Sequence, residues 1–157
     1  MPAPTLELLK ERLGTSLTEI TQARDMMVLV LPPAALLATV RELKAAFGFD
    51  LLLDVTAVDW IGQAPRFEVV YHFYSTAHFR RVRVKARVDE ADPTVDSLTS
   101  LYGSAAFMER ECRDMYGIGF RGNADLRPIL LYEGFVGHPL RKDYDKLHEQ
   151  PLVPYRK

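Results

Sequence analysis

Glu109, Glu111 and His138 are the side chains of this 157-residue chain best suited to acid–base chemistry. Paired carboxylates and a nearby imidazole can pass protons at neutral pH. The carboxylates stand in the run Glu109-Arg110-Glu111-Cys112-Arg113-Asp114-Met115-Tyr116-Gly117-Ile118. Most of that charge explains itself on a helix. Glu109 precedes Arg113 by one turn in the favoured order and Arg110 precedes Asp114 in the reverse order, so these four read as a solvated face. Glu111 does not fit. At about 100° per residue it falls on the arc of Phe107, Met108, Cys112, Met115 and Tyr116. A carboxylate on an apolar arc needs a cation, so Glu111 is expected in a buried ion pair or across a subunit interface, with catalysis as a third reading.

Other chemistries find less support. His138 precedes Pro139, which favours extended backbone and a hydrogen-bonding role. His72 and His78 fall on or beside strands and His148 lies near the end of the sequence, without the short spacings of metal ligands. The single cysteine, Cys112, cannot close an internal disulfide or hold a cluster alone, and its place on the inner arc suits inert packing. Gly117, Gly119 and Gly122 follow a helix, whereas phosphate cradles open one. No metal or nucleotide site is therefore expected. Arg80, Arg81, Arg83, Lys85 and Arg87 form a basic strand beside Tyr71, Phe73 and Tyr74, which suggests RNA with stacked bases. A solvated face or an acidic protein partner gives the same pattern, and the net charge of −1 favours these over nucleic acid.

The elements that must position these residues follow from periodicity. Thr5 is placed to cap a helix carrying Leu6, Leu9 and Leu13, closed by Gly14. Leu17 to Thr21 and Met26 to Leu31 read as strands, the second apolar enough to lie centrally. Leu36, Val40, Leu43 and Phe47 predict a helix after Pro32 and Pro33, ended by Gly48. Three strands follow, over 50–58, 66–75 and 79–88. In the third, Val82, Val84, Ala86 and Val88 alternate with the cations, so one face is apolar and the other basic. Asp92 and Pro93 predict a helix through Val95, Leu98 and Leu101, and Ser104 is placed to cap the helix holding Glu111. From Gly117 onward, Gly and Pro are frequent and only 129–132 forms an apolar group. So long an irregular stretch is uncommon in a compact domain unless it is functional or rests on something else.

The hydrophobic content of 48% and charged content of 26% are those of an ordinary globular domain. The fold class expected is α+β: two layers, a mainly antiparallel sheet with helices packed on one face, then an extended C-terminal arm. The domain spans 1–116 and the arm 117–157. Pro32 and Pro33 interrupt the longest apolar run, so no direct membrane span is expected. The first residues lack a basic n-region and an apolar h-region, which points to a chain that stays where it is made.

Several of these residues carry a resemblance. Glu109-Arg110-Glu111, Asp114-Met115-Tyr116-Gly117-Ile118, Asp125-Leu126-Arg127, Ile129-Leu130 and Gly137-His138-Pro139-Leu140-Arg141-Lys142-Asp143-Tyr144 resemble, in order and spacing, the signature of the thirty-kilodalton subunit family of respiratory complex I. In bacteria this is the C subunit of NADH-quinone oxidoreductase. The upstream Asp54-Val55-Thr56-Ala57-Val58-Asp59 resembles it less sharply. Two places depart from the pattern: Asn123-Ala124 stands where the family usually has His-Pro, and Pro128 where it has arginine.

The resemblance implies a peripheral-arm subunit without cofactors of its own on the cytoplasmic side of the inner membrane. It would lie against the large D subunit and neighbouring cluster-bearing subunits, with FMN and iron–sulfur clusters in those partners. No catalytic, cofactor or metal residue is then expected here. Glu109, Arg110, Glu111, Asp114, Arg127, His138, Arg141, Lys142 and Asp143 become interface or structural ion-pair residues, with Glu111, Arg127 and Arg141 foremost. The same subunit in a membrane-bound hydrogenase-type complex is the nearest alternative. An RNA-binding module and a small acid–base enzyme are the readings from other classes.

Overall fold

Alternation in the sequence builds one five-stranded sheet. The computed structural model describes residues 3–147 and 150; Met1, Pro2, His148, Glu149 and positions 151–157 of the expected arm lie outside them. In chain order the elements are α1 (Leu6–Leu13), β1 (Glu19–Ala23), β2 (Met26–Leu31), α2 (Leu36–Phe47), β3 (Leu51–Asp59), β4 (Phe67–Ser75), β5 (Arg80–Val88), β6 (Thr94–Asp96), α3 (Ala105–Tyr116) and β7 (Gly119–Arg121). The sheet order is β1-β2-β5-β4-β3. Within this sheet all pairings are antiparallel except β2 with β5. Apolar β2 is thus an interior strand, as its composition predicts.

One sheet face and the three helices share a single core. Val82, Val84, Ala86 and Val88 point inward with Phe67, Val69, Tyr71 and Phe73, and meet Leu9, Leu13, Leu36, Val40, Leu43, Phe47 and Cys112. Each large apolar side chain among them contributes about 1.5–3 kcal/mol by leaving water. Thr5 caps α1 by accepting from the Leu8 amide at 3.2 Å, and Gly48 ends α2 in the left-handed conformation, φ 66°, at little steric cost. A register shift between Leu52 and Asp54 interrupts the strict alternation of β3. It lets Leu52 and then Val55, Ala57 and Asp59 all face inward.

Three expectations are corrected. The segment after Asp92-Pro93 is not a helix: Thr94–Asp96 pairs in parallel with Gly119–Arg121, because strand pairing with a segment on the far side of α3 outweighs a helix signal carried by three apolar residues. The chain after Gly117 therefore begins with a strand, and Ile118 and Phe120 belong to the core. Finally, α3 is turned from its expected phase. Phe107 is 62% exposed and Glu111 is exposed, whereas Glu109, on the face expected to be solvated, is buried.

Candidate functional site

Helix α3 organises the described chain that follows it, from Asn123 to Arg141. Its C-terminus is set by Gly117, φ 75°, whose amide closes the last turn on the Arg113 carbonyl at 2.7 Å. A side chain at Gly117 would strike the His138 ring and the Arg141 guanidinium, so the arm packs where only glycine fits.

Glu109 is fully buried, yet no cation among the described residues meets it. Its carboxyl accepts from the Leu98 amide at 2.7 Å, the Ser97 hydroxyl at 2.8 Å and the Asn123 amide group at 2.9 Å. Desolvation outweighs these donors and holds the carboxyl above the ordinary glutamate value. Asn123 thus supplies one of the three donors. A group whose folded value is raised stabilises most below its unfolded value, and that contribution fades as pH rises through the folded one. Glu109→Gln is therefore expected to match or exceed the wild type in stability at neutral pH, and to flatten the pH dependence above about 4.5. Glu109→Ala, which strands three donors, two of them buried, should lose about 3 kcal/mol. Urea unfolding across pH 4 to 8 checks both. A Gln variant less stable than wild type at pH 7 by the same margin as Ala would sink this account.

Next along the chain, Arg110 donates from Nε to the Arg127 carbonyl and from Nη2 to the Pro128 carbonyl, both at 2.9 Å. The second bond uses main chain, so proline at 128 leaves it intact. Asp114 is buried, and its Oδ2 accepts from three successive amides, Ile129, Leu130 and Leu131, at 2.8, 2.9 and 3.3 Å. Together with Arg110, these bonds hold the carboxyl below the ordinary aspartate value even though burial opposes them. Arg127 pairs with its neighbour Asp125 at 2.8 Å and is otherwise exposed.

The last turn of α3 then receives the arm at main-chain carbonyls. His138 donates from Nδ1 to Asp114 at 2.9 Å, the Leu140 amide to Met115 at 3.1 Å, and Arg141 Nε to Tyr116 at 2.6 Å. One residue further, the Lys142 amide donates to Asp59 Oδ2 at 2.8 Å, at the end of β3. Asp59 is held in turn by Arg66, Nε to Oδ1 at 2.9 Å and Nη2 to Oδ2 at 2.8 Å. Arg66 also reaches Glu90 at 2.5 Å and Asp143 at 2.9 Å. The side chains of Arg66 and Asp59 are only 7% and 1% exposed. Both Arg66 and Arg141 stack on the Phe67 ring, 4.9 and 5.0 Å from its centroid. Residues 123–143 are thus fastened stepwise to α3 and to one end of the sheet.

Of the nine expected residues, Glu109, Arg110, Asp114, His138, Arg141, the Lys142 amide and Asp143 join this chain of contacts. Glu111 and the Arg127 side chain do not. Glu109 and His138 do not face each other, so the acid–base pairing has no geometry to work with. Asp59, Arg66, Ser97 and Asn123 complete the contacts, and none of them is among the nine. Asp59 had a readable signal: it continues the inward alternation of Val55 and Ala57.

The outer side of the arm is different in kind. Of eleven exposed large hydrophobics among the described residues, six lie between Ile129 and Leu147, including Leu130 at 61% and Val136 at 75%. So many exposed apolar side chains on one segment contrast with the polar bonds on its inner side. Beneath them, a cleft of about 220 Å³ opens between α3 and the arm beside Arg113, Leu131, Phe135 and His138. Among the described residues no group of His, Cys, Asp or Glu is placed to hold a metal ion, and no helix is long and apolar enough to cross a membrane.

The family described as respiratory-chain NADH dehydrogenase, 30 Kd subunit, matches residues 29–150. The C subunit of NADH-quinone oxidoreductase from Citrifermentans bemidjiense is 44% identical over 94% of this chain and 91% of its own length. The subunit of the same name from Geotalea uraniireducens is 40% identical over 94% and 90%. Among solved structures, a trypsin-resistant fragment of Nqo5 superposes with a TM-score of 0.69 at 32% identity, covering 76% of this chain and 97% of the fragment. A chain of the membrane-bound sulfane sulfur reductase, an archaeal respiratory membrane complex, gives a TM-score of 0.78 at 26% identity, covering 90% and 85%.

Proposed function

Because this chain belongs to the family of the 30 Kd subunit of respiratory-chain NADH dehydrogenase, we propose that it is a cofactor-free, non-catalytic peripheral subunit of a proton-translocating NADH-quinone oxidoreductase. It supports electron transfer from NADH to quinone by structuring the quinone-reducing module, while FMN and iron–sulfur clusters reside in its partners. It sits on the cytoplasmic side of the inner membrane against the large D subunit and neighbouring cluster-bearing subunits.

The observation that carries this reading is the two-sided arm, pinned inward by polar bonds and apolar outward. Burying Leu130 and Val136 against a partner adds affinity, and the preformed arm spares the cost of ordering it on binding. The cleft beside Arg113 suits one partner side chain. Glu111, Arg127 and Lys142, which face solvent, are the candidates for charged contacts at the rim.

Replacing both Leu130 and Leu140 by aspartate should leave the unfolding midpoint of the isolated chain nearly unchanged, since both are exposed. It should also lower recovery of partner subunits on a tagged chain at least about tenfold. Equal recovery, or an isolated chain that purifies coloured by flavin or iron, would count against the proposal.

A second reading rests on the structural likeness to the sulfane sulfur reductase chain. The module could serve a hydrogenase-type or other relative with a different electron donor. The subunits recovered with the tagged chain decide: a flavin-bearing NADH-oxidising subunit among them favours the first reading, and its absence the second.

A further inference from the structure

The sheet face opposite the helices carries a stripe that the arm does not use. Arg81, Arg83, Lys85 and Arg87 on β5 lie in register with Tyr74, His72, Val70 and Glu68 on β4, and Asp54 on β3 lies beside His72. Their stems cover the wall beneath them: Val28 and Val70 are buried on this helix-free face. Charge is balanced at one end only. Glu68 takes Lys85 at 2.7 Å and Arg87 at 3.3 Å. Among the described residues, no carboxylate lies within ion-pair distance of Arg81 or Arg83.

Arg83 is held ready. Its Nε donates to His72 Nε2 at 2.8 Å, and Asp54 lies 3.4 Å from His72 Nδ1, so the ring fixes the guanidinium from one side. The Nη1–Nη2 edge is left for a planar bidentate acceptor. Arg81 rests over the Tyr74 ring, 5.9 Å from its centroid.

We propose that this stripe, centred on Arg81 and Arg83, docks a carboxylate-bearing surface of another subunit of the same assembly, at a contact separate from the arm. The inference rests on the subunit reading above. A protein partner fits better than RNA because Tyr71 and Phe73, expected as stacking surfaces, are buried in the core. Asp54 and Glu68 also confine the uncompensated charge to the short patch at Arg81 and Arg83, whereas a phosphate backbone needs a continuous cationic track.

The test uses the assembled complex carrying Arg81→Glu with Arg83→Glu, washed on membranes at rising NaCl. The charge reversal is expected to release this chain at a salt concentration at least about twofold lower than wild type. Arg81→Gln with Arg83→Gln, which keeps a donor for His72, should give an intermediate value with an unchanged unfolding midpoint. A photo-crosslinking residue at position 81 should yield an adduct with an Asp- or Glu-rich peptide of another subunit. Unchanged release by the charge-reversed chain, a crosslink to RNA, or no crosslink within an intact complex overturns the docking site while leaving the subunit reading standing. Failure of the wild-type chain to travel with any oxidoreductase subunit overturns both.

Discussion

Replacing Arg66 by methionine is expected to destabilise the protein by about 3–5 kcal/mol, the range for stranding one member of a buried ion pair. Asp59, 1% exposed, would lose both of its guanidinium donors, and Asp143 on the arm would lose its anchor at the sheet. The loss should appear as a lowered urea midpoint and as faster tryptic cleavage at Arg141, Lys142 and Lys146, because two of the arm's last tethers fail together. Adding Asp59→Asn should restore part of the stability by removing the uncompensated charge. A single variant as stable as wild type, or a double variant worse than the single, would refute this account. Acid should mimic the lesion. The Arg66 hydrogen bonds hold Asp59 and Asp143 below the ordinary aspartate value of 3.8. Their stabilisation is therefore present above about pH 3.8 and lost as pH falls through the lower folded values. This is the opposite sense to Glu109.

The second large effect is expected at Asp114. Asp114→Ala removes the single acceptor of three successive arm amides and should cost roughly 3 kcal/mol, less than the sum of three charge-assisted bonds because the freed amides can turn to water. Hydrogen exchange at Ile129, Leu130 and Leu131 should speed by about a hundredfold while β4 and β5 keep their protection. Asp114→Asn, which retains one acceptor oxygen, should lie between. If those three amides exchange as slowly in Asp114→Ala as in wild type, the arm is held by something other than this carboxylate.

Strands β2 to β5 and helix α2 were legible because burial imposes a period on their sequences and nothing competes with it. Helix α3 was legible as a helix, but its rotation was not. Periodicity counts Phe107 as an inner residue and Glu109 as an outer one, whereas the donors that let Glu109 go inside sit at Ser97, Leu98 and Asn123, remote in sequence. β6 was misread for a related reason: its partner strand lies beyond α3, and a local helix signal cannot register a pairing made at that distance. The arm was recognisable as unusual by its lack of period, and most of its motif residues do join one set of contacts. Their individual roles depend on which main-chain atoms face them, which residue types do not encode. Asp59 was within reach, since the alternation of β3 carries it inward.

The fastening of the arm to α3 is asymmetric in one respect that bears on mutational scanning. At the last turn of the helix, His138, Leu140 and Arg141 attach to the oxygens of Asp114, Met115 and Tyr116 that every amino acid possesses. Substituting the side chains of Met115 or Tyr116 leaves those acceptors chemically unaltered. A saturation library would therefore trace this part of the latch only from its donor half and from Gly117, and a map drawn from sensitivity scores alone would leave half the joint blank.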